Sequence, residues 1–181
     1  MEVTTTTIKD CYLITPKVYK DSRGFFCETY HQERFNELTG LNPKFVQDNQ
    51  SESGYGVIRG LHYQTGDWAQ AKLIRVVRGK VIDVVVDLRR DSPSYLQHIA
   101  VPIDHQSMQQ LFVPRGCAHG FVTLTDFSIF AYKCDNFYNQ EAEHGIRYND
   151  PSLNIDWQID PKEQLVSAKD LALPLLEQAT Y

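Results

Sequence analysis

At 181 residues, with 42% hydrophobic, 12% aromatic and 23% charged side chains, the chain has the length and apolar content of one globular domain, spanning residues 1–181, and not those of a disordered, collagen-like or coiled-coil polypeptide. Lys and Arg number 18 against 23 Asp and Glu, and the net charge of −5 argues against a broad electrostatic hold on nucleic acid or anionic lipid. The four cysteines, Cys11, Cys27, Cys117 and Cys134, form no CxxC pair, so reduced thiols are expected and neither a zinc ribbon nor a redox dithiol is. No run approaches the roughly 18 apolar residues of a membrane helix. The opening MEVTTTTIKD lacks the pattern of a signal peptide, so a cytosolic protein is expected.

In chain order, His31–Leu38 followed by Gly40 predicts a short helix with a glycine stop. Val57–Gln64 enters a region dominated by period-two alternation. Lys72–Arg90 predicts a β-branched hairpin turning at Arg78-Gly79, where a positive φ is needed. Further strands are expected at Gln97–Ile103, Gln109–Val113, His119–Leu124 and Ser128–Cys134, separated by turn-prone segments. Asn136–Pro161 has little periodicity and predicts a long ordered loop region or short extra strands. Ser167 followed by Asp170 predicts the start of a C-terminal helix that Pro174 must end. Strands about every ten residues without intervening helices predict an all-β antiparallel sandwich or barrel with short N- and C-terminal helices.

Alternation on the Val57–Gln64 strand puts Leu61 and Tyr63 on one face and Gly60, His62 and Gln64 on the other. A lone histidine is more often a satisfied structural residue than a catalyst. Lys72, however, shares a face with Ile74 and Val76, and a lysine on an apolar face costs desolvation unless it snorkels to water or its charge is used on a substrate oxygen. Asp83, in register with Val81 and Val85, is either an inward acid or a surface ion-pair partner. Tyr132 lies on the side of Phe130. It is either a core or rim aromatic, or, beside a base, a general acid.

Pro114-Arg115-Gly116-Cys117-Ala118-His119 is a Pro-x-Gly-x-x-His turn entering a strand, and it resembles the second histidine motif of the cupins, whose fold is a double-sheet jelly roll. A metal-dependent cupin would also supply two histidines and a glutamate from its first motif. Here His62 is followed by Gln64 and Lys72, and an ammonium is not a ligand, so no catalytic metal is expected. Together the residues suggest proton abstraction beside a carbonyl, with His62 as base, Lys72 and His119 on the enolate oxygen and Tyr132 returning a proton to the opposite face. No glycine-rich nucleotide loop is present and no redox cofactor is required.

The chain resembles the dTDP-4-dehydrorhamnose 3,5-epimerases from about Thr7 to Ala179. The likeness rests on AspSerArgGlyPhePheCysGlu at 21–28, PheValGlnAspAsnGlnSer at 45–51, ArgGlyLeuHisTyrGln at 59–64, LysLeuIleArgValValArgGly at 72–79, ProArgGlyCysAlaHisGlyPhe at 114–121, TyrLysCysAspAsnPheTyr at 132–138 and GlyIleArgTyrAsnAspPro at 145–151. The resemblance implies a cupin-like jelly roll acting on dTDP-4-keto-6-deoxy-D-glucose at C3 and C5. In it His62 is the base, Tyr132 the acid, and Asp170 the carboxylate that orients His62. Lys72 and His119 would contact the sugar, and Arg23 and Arg59 the diphosphate. Gln47, Asp48, Asn49 and Glu28 would bind the base, Tyr138 would stack on thymine, and Glu143 and Lys169 would make further contacts. It also implies a homodimer in which the N-terminal segment carrying Arg23 and Glu28 completes the partner's site. The segment 65–70 departs from the family in lacking a proline before Ala69-Gln70. An epimerase acting at C3 or C5 alone, a ketoisomerase of related fold, a non-catalytic sugar-nucleotide-binding jelly roll and a metal-dependent cupin oxygenase are the competing readings.

Overall fold

The computed structural model describes residues 1–181. Along the chain the elements are β1 (Glu2–Thr5), β2 (Tyr12–Thr15), β3 (Val18–Asp21), β4 (Gly24–Cys27), α1 (Gln32–Thr39), β5 (Gln47–Gly54), β6 (Val57–Gln64), β7 (Lys72–Arg78) and β8 (Lys80–Asp87). There follow β9 (His98–Asp104), β10 (Gln110–Val113), β11 (Cys117–Thr123), β12 (Phe127–Cys134), β13 (Glu143–Gly145), β14 (Leu165–Val166) and α2 (Ala168–Leu171). One sheet has the order β1-β2-β10-β7-β12-β5 and the other β13-β6-β11-β8-β9, with β14 added parallel to β6; β3 and β4 pair only with each other.

The two sheets share an apolar interior built from alternate residues of facing strands. Ile74, Val76, Leu111 and Phe130 of the first sheet meet Val81, Val85, Ile103 and Phe121 of the second. The other face of the second sheet, with Ile58, Leu61, Ile82 and Val84, is covered by Ile146, Leu153, Trp157 and Leu176 from the chain beyond β13. Burial on both faces is why β8 reads as an almost unbroken apolar run. Helix α1 starts at His31, ends at Gly40 with φ 72°, and buries one side chain, Phe35, edge-on against Phe45 and Phe112. Truncating Phe35 to Ala is expected to cost about 3–5 kcal/mol.

Arrayed in this way, the chain is an all-β double-sheet jelly roll with short helices near either end, as the spacing of strands predicts. Most expected strands lie within two residues of their observed bounds. The Lys72–Arg90 hairpin is a correction: β7 bonds β10 and β12, whereas β8 bonds β9 and β11, so the two strands lie in different sheets. One inward face per strand is equally what hairpin partners and strands facing each other across a sandwich require, so alternation alone did not separate them. Gly79, with φ 85°, carries the chain across; a Cβ there would come within 2.5 Å of Phe127 O and Ser128 Oγ. The polar segment Gln47–Gly54, whose first residues taken alone suit a turn, is a full strand paired with β12 from Gln47↔Cys134 to Gly54↔Phe127. Between Asn136 and Pro161 the only strand is β13.

Candidate active site

A cavity of about 610 Å³ opens between the sheets. The first sheet lends it Asn49, Lys72, Phe130 and Tyr132, the second Arg59, His62, His119 and Phe121, and the turn into α2 adds Ser167, Lys169 and Asp170. Strand alternation explains the selection: Lys72 follows the inward positions of Ile74 and Val76, and Tyr132 that of Phe130. His62 and His119 are register partners on adjacent strands.

Each histidine has its own carboxylate. His62 Nε2 lies 2.8 Å from Asp170 Oδ1, and Asp170, 4% exposed, also accepts from the Gly60 N–H at 3.2 Å through Oδ2. Ser167 caps α2 by accepting from the Asp170 N–H at 3.1 Å, which holds the carboxylate under β6. Gly60 and Gly120 permit the close approach of β6 and β11 there, since a Cβ on Gly60 would fall 2.7 Å from Gly120 Cα. Burial works to raise the Asp170 carboxyl, but the bond and charge of His62, the Gly60 amide and Lys169 together hold it below its ordinary value. It is ionised, takes the Nε2 proton in its hydrogen bond, and leaves Nδ1 with the lone pair.

His119 Nε2 meets both oxygens of the fully buried Asp83, at 3.0 and 3.1 Å. The inward-acid reading of Asp83 is therefore the observed one. Burial lowers the His119 pKa, the charges of Lys72 and His62 add to this, and Asp83 opposes it, so the ring is a neutral donor. Lys72 has no carboxylate partner; its Nζ lies 5.9 Å from the centroid of the Tyr132 ring, and burial pulls its pKa below that of a free lysine. Burial pushes the Tyr132 phenol up, with Cys134 and Glu143 adding and Arg59 opposing, and keeps it neutral. The cavity thus holds two imidazoles, each polarised by a carboxylate, one ammonium without a counter-ion and one neutral phenol. Such groups remove, stabilise and return a proton. No three His, Cys, Asp or Glu side chains converge as a metal-ligand set.

Around the mouth, Arg59 is steadied by Nε donating to Ser53 Oγ at 3.0 Å and by a bond to the Glu52 carbonyl at 3.2 Å. Tyr138 Oη and Lys169 Nζ both donate to Glu143 Oε2, at 3.0 and 2.7 Å. Gln47 donates to Asn49 Oδ1 at 3.1 Å and accepts the Tyr138 N–H at 3.0 Å. Asp48, next in β5, points to the other face of the sheet, where it pairs with Lys133 at 2.9 Å. Arg23 and Glu28 are not brought to this cavity: Arg23, its side chain 88% exposed, pairs with Asp21 in the β3–β4 turn, and Glu28 pairs with Arg34 at 2.8 Å. The sequence pattern gives no sign of Ser53, which anchors Arg59, whereas Ser167, read as the cap of the C-terminal helix, is that cap and holds Asp170.

Groups that exchange protons, set on the inner faces of a jelly roll, define a cupin-like isomerase. The model of the dTDP-4-dehydrorhamnose 3,5-epimerase family matches residues 5–178, and the chain belongs to that family. It is 46% identical to the dTDP-4-dehydrorhamnose 3,5-epimerase of Salmonella typhimurium over 99% of this chain and 97% of that one. The crystal structure of the Elizabethkingia anophelis enzyme of the same name superposes with a TM-score of 0.97 at 48% identity, covering 100% of this chain and 99% of that one. A Legionella pneumophila dTDP-6-deoxy-D-glucose-3,5-epimerase, solved with dTDP-4-keto-L-rhamnose, gives a TM-score of 0.93 at 43% identity over 98% and 93% of the two chains.

Proposed function

We propose that the protein epimerises dTDP-4-keto-6-deoxy-D-glucose at C3 and C5, giving dTDP-4-keto-L-rhamnose for dTDP-L-rhamnose synthesis, within one domain. The observation that carries this reading is that the His62 dyad and Tyr132 project into one cavity from opposite sheets. Both C3 and C5 adjoin the C4 carbonyl, so one base and one acid serve both. His62 Nδ1 takes the carbon-bound proton, the electron pair moves into the enolate, and Lys72 Nζ stabilises the oxygen charge at C4; His119, whose one N–H is held by Asp83, lines the sugar with Nδ1 as an acceptor. Tyr132 then protonates the opposite face of the carbon, which inverts it. The imidazolium and phenolate left behind reset by exchange with water before the second inversion.

Arg59 and Lys169 are suited to the diphosphate, Arg59 through its planar fork. Tyr138 is the stacking surface for thymine, with Gln47, Asn49 and Glu143 around the nucleoside; Asp48, expected beside them, is turned to the opposite face of β5 by its pair with Lys133. Arg23 and Glu28 act in the site of a second copy. This homodimer is supported by the β3–β4 hairpin, which joins neither sheet and exposes Tyr19, Phe25 and Phe26 together with Arg23. A cytosolic setting is supported by the four free thiols; no helix is long and apolar enough to cross a membrane.

The test is NMR of dTDP-4-keto-6-deoxy-D-glucose with the protein in D2O. Deuterium entering both C3 and C5 supports the reading, entry at one position makes the protein a single-site epimerase, and binding without exchange makes it a sugar-nucleotide-binding module.

A further inference from the structure

Gln64, the last residue of β6, is 7% exposed, and its amide is fully engaged by backbone groups outside its own strand. Nε2 donates to the Trp68 carbonyl at 2.7 Å and to the Phe137 carbonyl at 3.1 Å, while Oε1 accepts the Asn139 N–H at 2.6 Å. Two of these three bonds flank Tyr138. The Tyr138 N–H itself is held by Gln47 Oε1, and Glu143, which accepts the Tyr138 hydroxyl, is the register partner of Gln64 on β13. Thus three successive residues, 137 to 139, have their backbone tied by side chains from two different strands, whereas the Tyr138 residue is 53% exposed.

An aromatic residue on a free loop loses binding energy to ordering when a ligand arrives; one on a clamped backbone has that cost already met by folding. Only a primary amide offers two donors and an acceptor in one plane, which is what two carbonyls and one N–H around position 64 require. From this we infer that Gln64 is a positioning residue for nucleotide binding: it presets the Tyr138 ring as a stacking surface by bonding the peptide groups on both sides of it. This rests on the reading of Tyr138 as the thymine platform.

The test is a double-mutant cycle on the full-length protein, with dTDP alone as titrant and steady-state turnover measured alongside. Gln64→Leu is expected to weaken dTDP and raise KM by about tenfold while kcat at saturation stays within about twofold. Gln64→Glu keeps an acceptor for the Asn139 N–H but turns a carboxylate on the Trp68 and Phe137 carbonyls, so it is expected to weaken dTDP at least as much as Gln64→Leu, and Gln64→Met, uncharged and close in length, replaces the leucine variant should that fail to fold. Combined with Tyr138→Ala, Gln64→Leu adds no further loss of dTDP affinity. Unchanged dTDP affinity in both Gln64 variants, additive losses in the cycle, or a fall in kcat at constant KM would overturn the inference. If Tyr138→Ala alone leaves dTDP affinity intact, the platform reading fails as well, and this outcome is distinct from a silent Gln64 substitution beside a damaging Tyr138 one.

Discussion

His62 and Asp170 stand 108 residues apart in the chain and 2.8 Å apart in the fold. The carboxylate serves two donors, His62 Nε2–H and the Gly60 N–H, one on each oxygen. Asp170→Asn leaves a single acceptor oxygen for both and removes the charge that stabilises the imidazolium. The expected result is a fall in kcat of about 10²-fold or more with KM little changed. Steady-state kinetics check this, and a rise in KM at constant kcat would show that Asp170 serves binding instead.

In the proposed mechanism Lys72 acts as a cation, so its contribution is present below its pKa and lost as pH rises through it. Burial sets that pKa below the ordinary lysine value, while burial sets Tyr132 above the ordinary tyrosine value. The alkaline limb of kcat/KM is therefore expected below the pH at which a free lysine titrates, with Lys72 as its source. Lys72→Arg, whose guanidinium stays charged, moves the limb upward even where it lowers the rate. A limb that does not move would assign the titration to another group.

Asp87 is fully buried and accepts from Arg89 Nε at 2.8 Å and Ser94 Oγ at 2.7 Å. Burial works to raise its carboxyl, yet these bonds, with Ser92, hold it far below the ordinary carboxylate range. A depressed folded value means that the stabilisation is complete above the unfolded carboxylate pKa, near ~4, and drains away as pH falls toward the folded value. Asp87→Asn is expected to cost about 3 kcal/mol at neutral pH, with the difference from wild type narrowing below about pH 4. Urea unfolding at several pH values tests it; a difference independent of pH contradicts the assignment.

The proposed completion of the site by Arg23 of a second copy has a signature in mixed subunits. Arg23→Ala and His62→Asn proteins, each impaired alone, are expected to recover activity when unfolded and refolded together. In the mixed dimer one site then holds an intact His62 and an intact Arg23, and the other neither. No recovery, with mixed dimers demonstrated, would place Arg23 in its own subunit's site or outside any site.

How far this was legible beforehand follows from what alternation can encode. Lys72 with Ile74 and Val76, Tyr132 with Phe130, and His62 opposite to Leu61 and Tyr63 all declare their facing in period two, and the structure turns each inward as read. Alternation says nothing of which strand lies alongside, so in the pattern alone the chain crossing at Gly79 reads as a hairpin. Nor does it mark a polar strand: β5 is paired along its whole length but carries turn-forming residues at Gln47, Asp48 and Asn49. Pairings across long stretches of chain were beyond reach from pattern alone. Asp170 comes only through family resemblance, Asp83 reads equally as an inward acid or a surface ion-pair partner with no sign of His119, and Gln64 finds Phe137 73 residues away.

In the proposed mechanism base and acid approach the sugar from opposite sheets, and a comparison of His62→Asn with Tyr132→Phe in D2O with dTDP-4-keto-6-deoxy-D-glucose decides whether they do. His62→Asn is expected to lose both exchange and turnover, by about 10²–10⁴-fold. Tyr132→Phe retains partial deuterium exchange, because His62 still forms the enolate, while epimerised product falls sharply. Loss of all exchange in Tyr132→Phe with dTDP binding intact, or exchange persisting at the wild-type rate in His62→Asn, would contradict it.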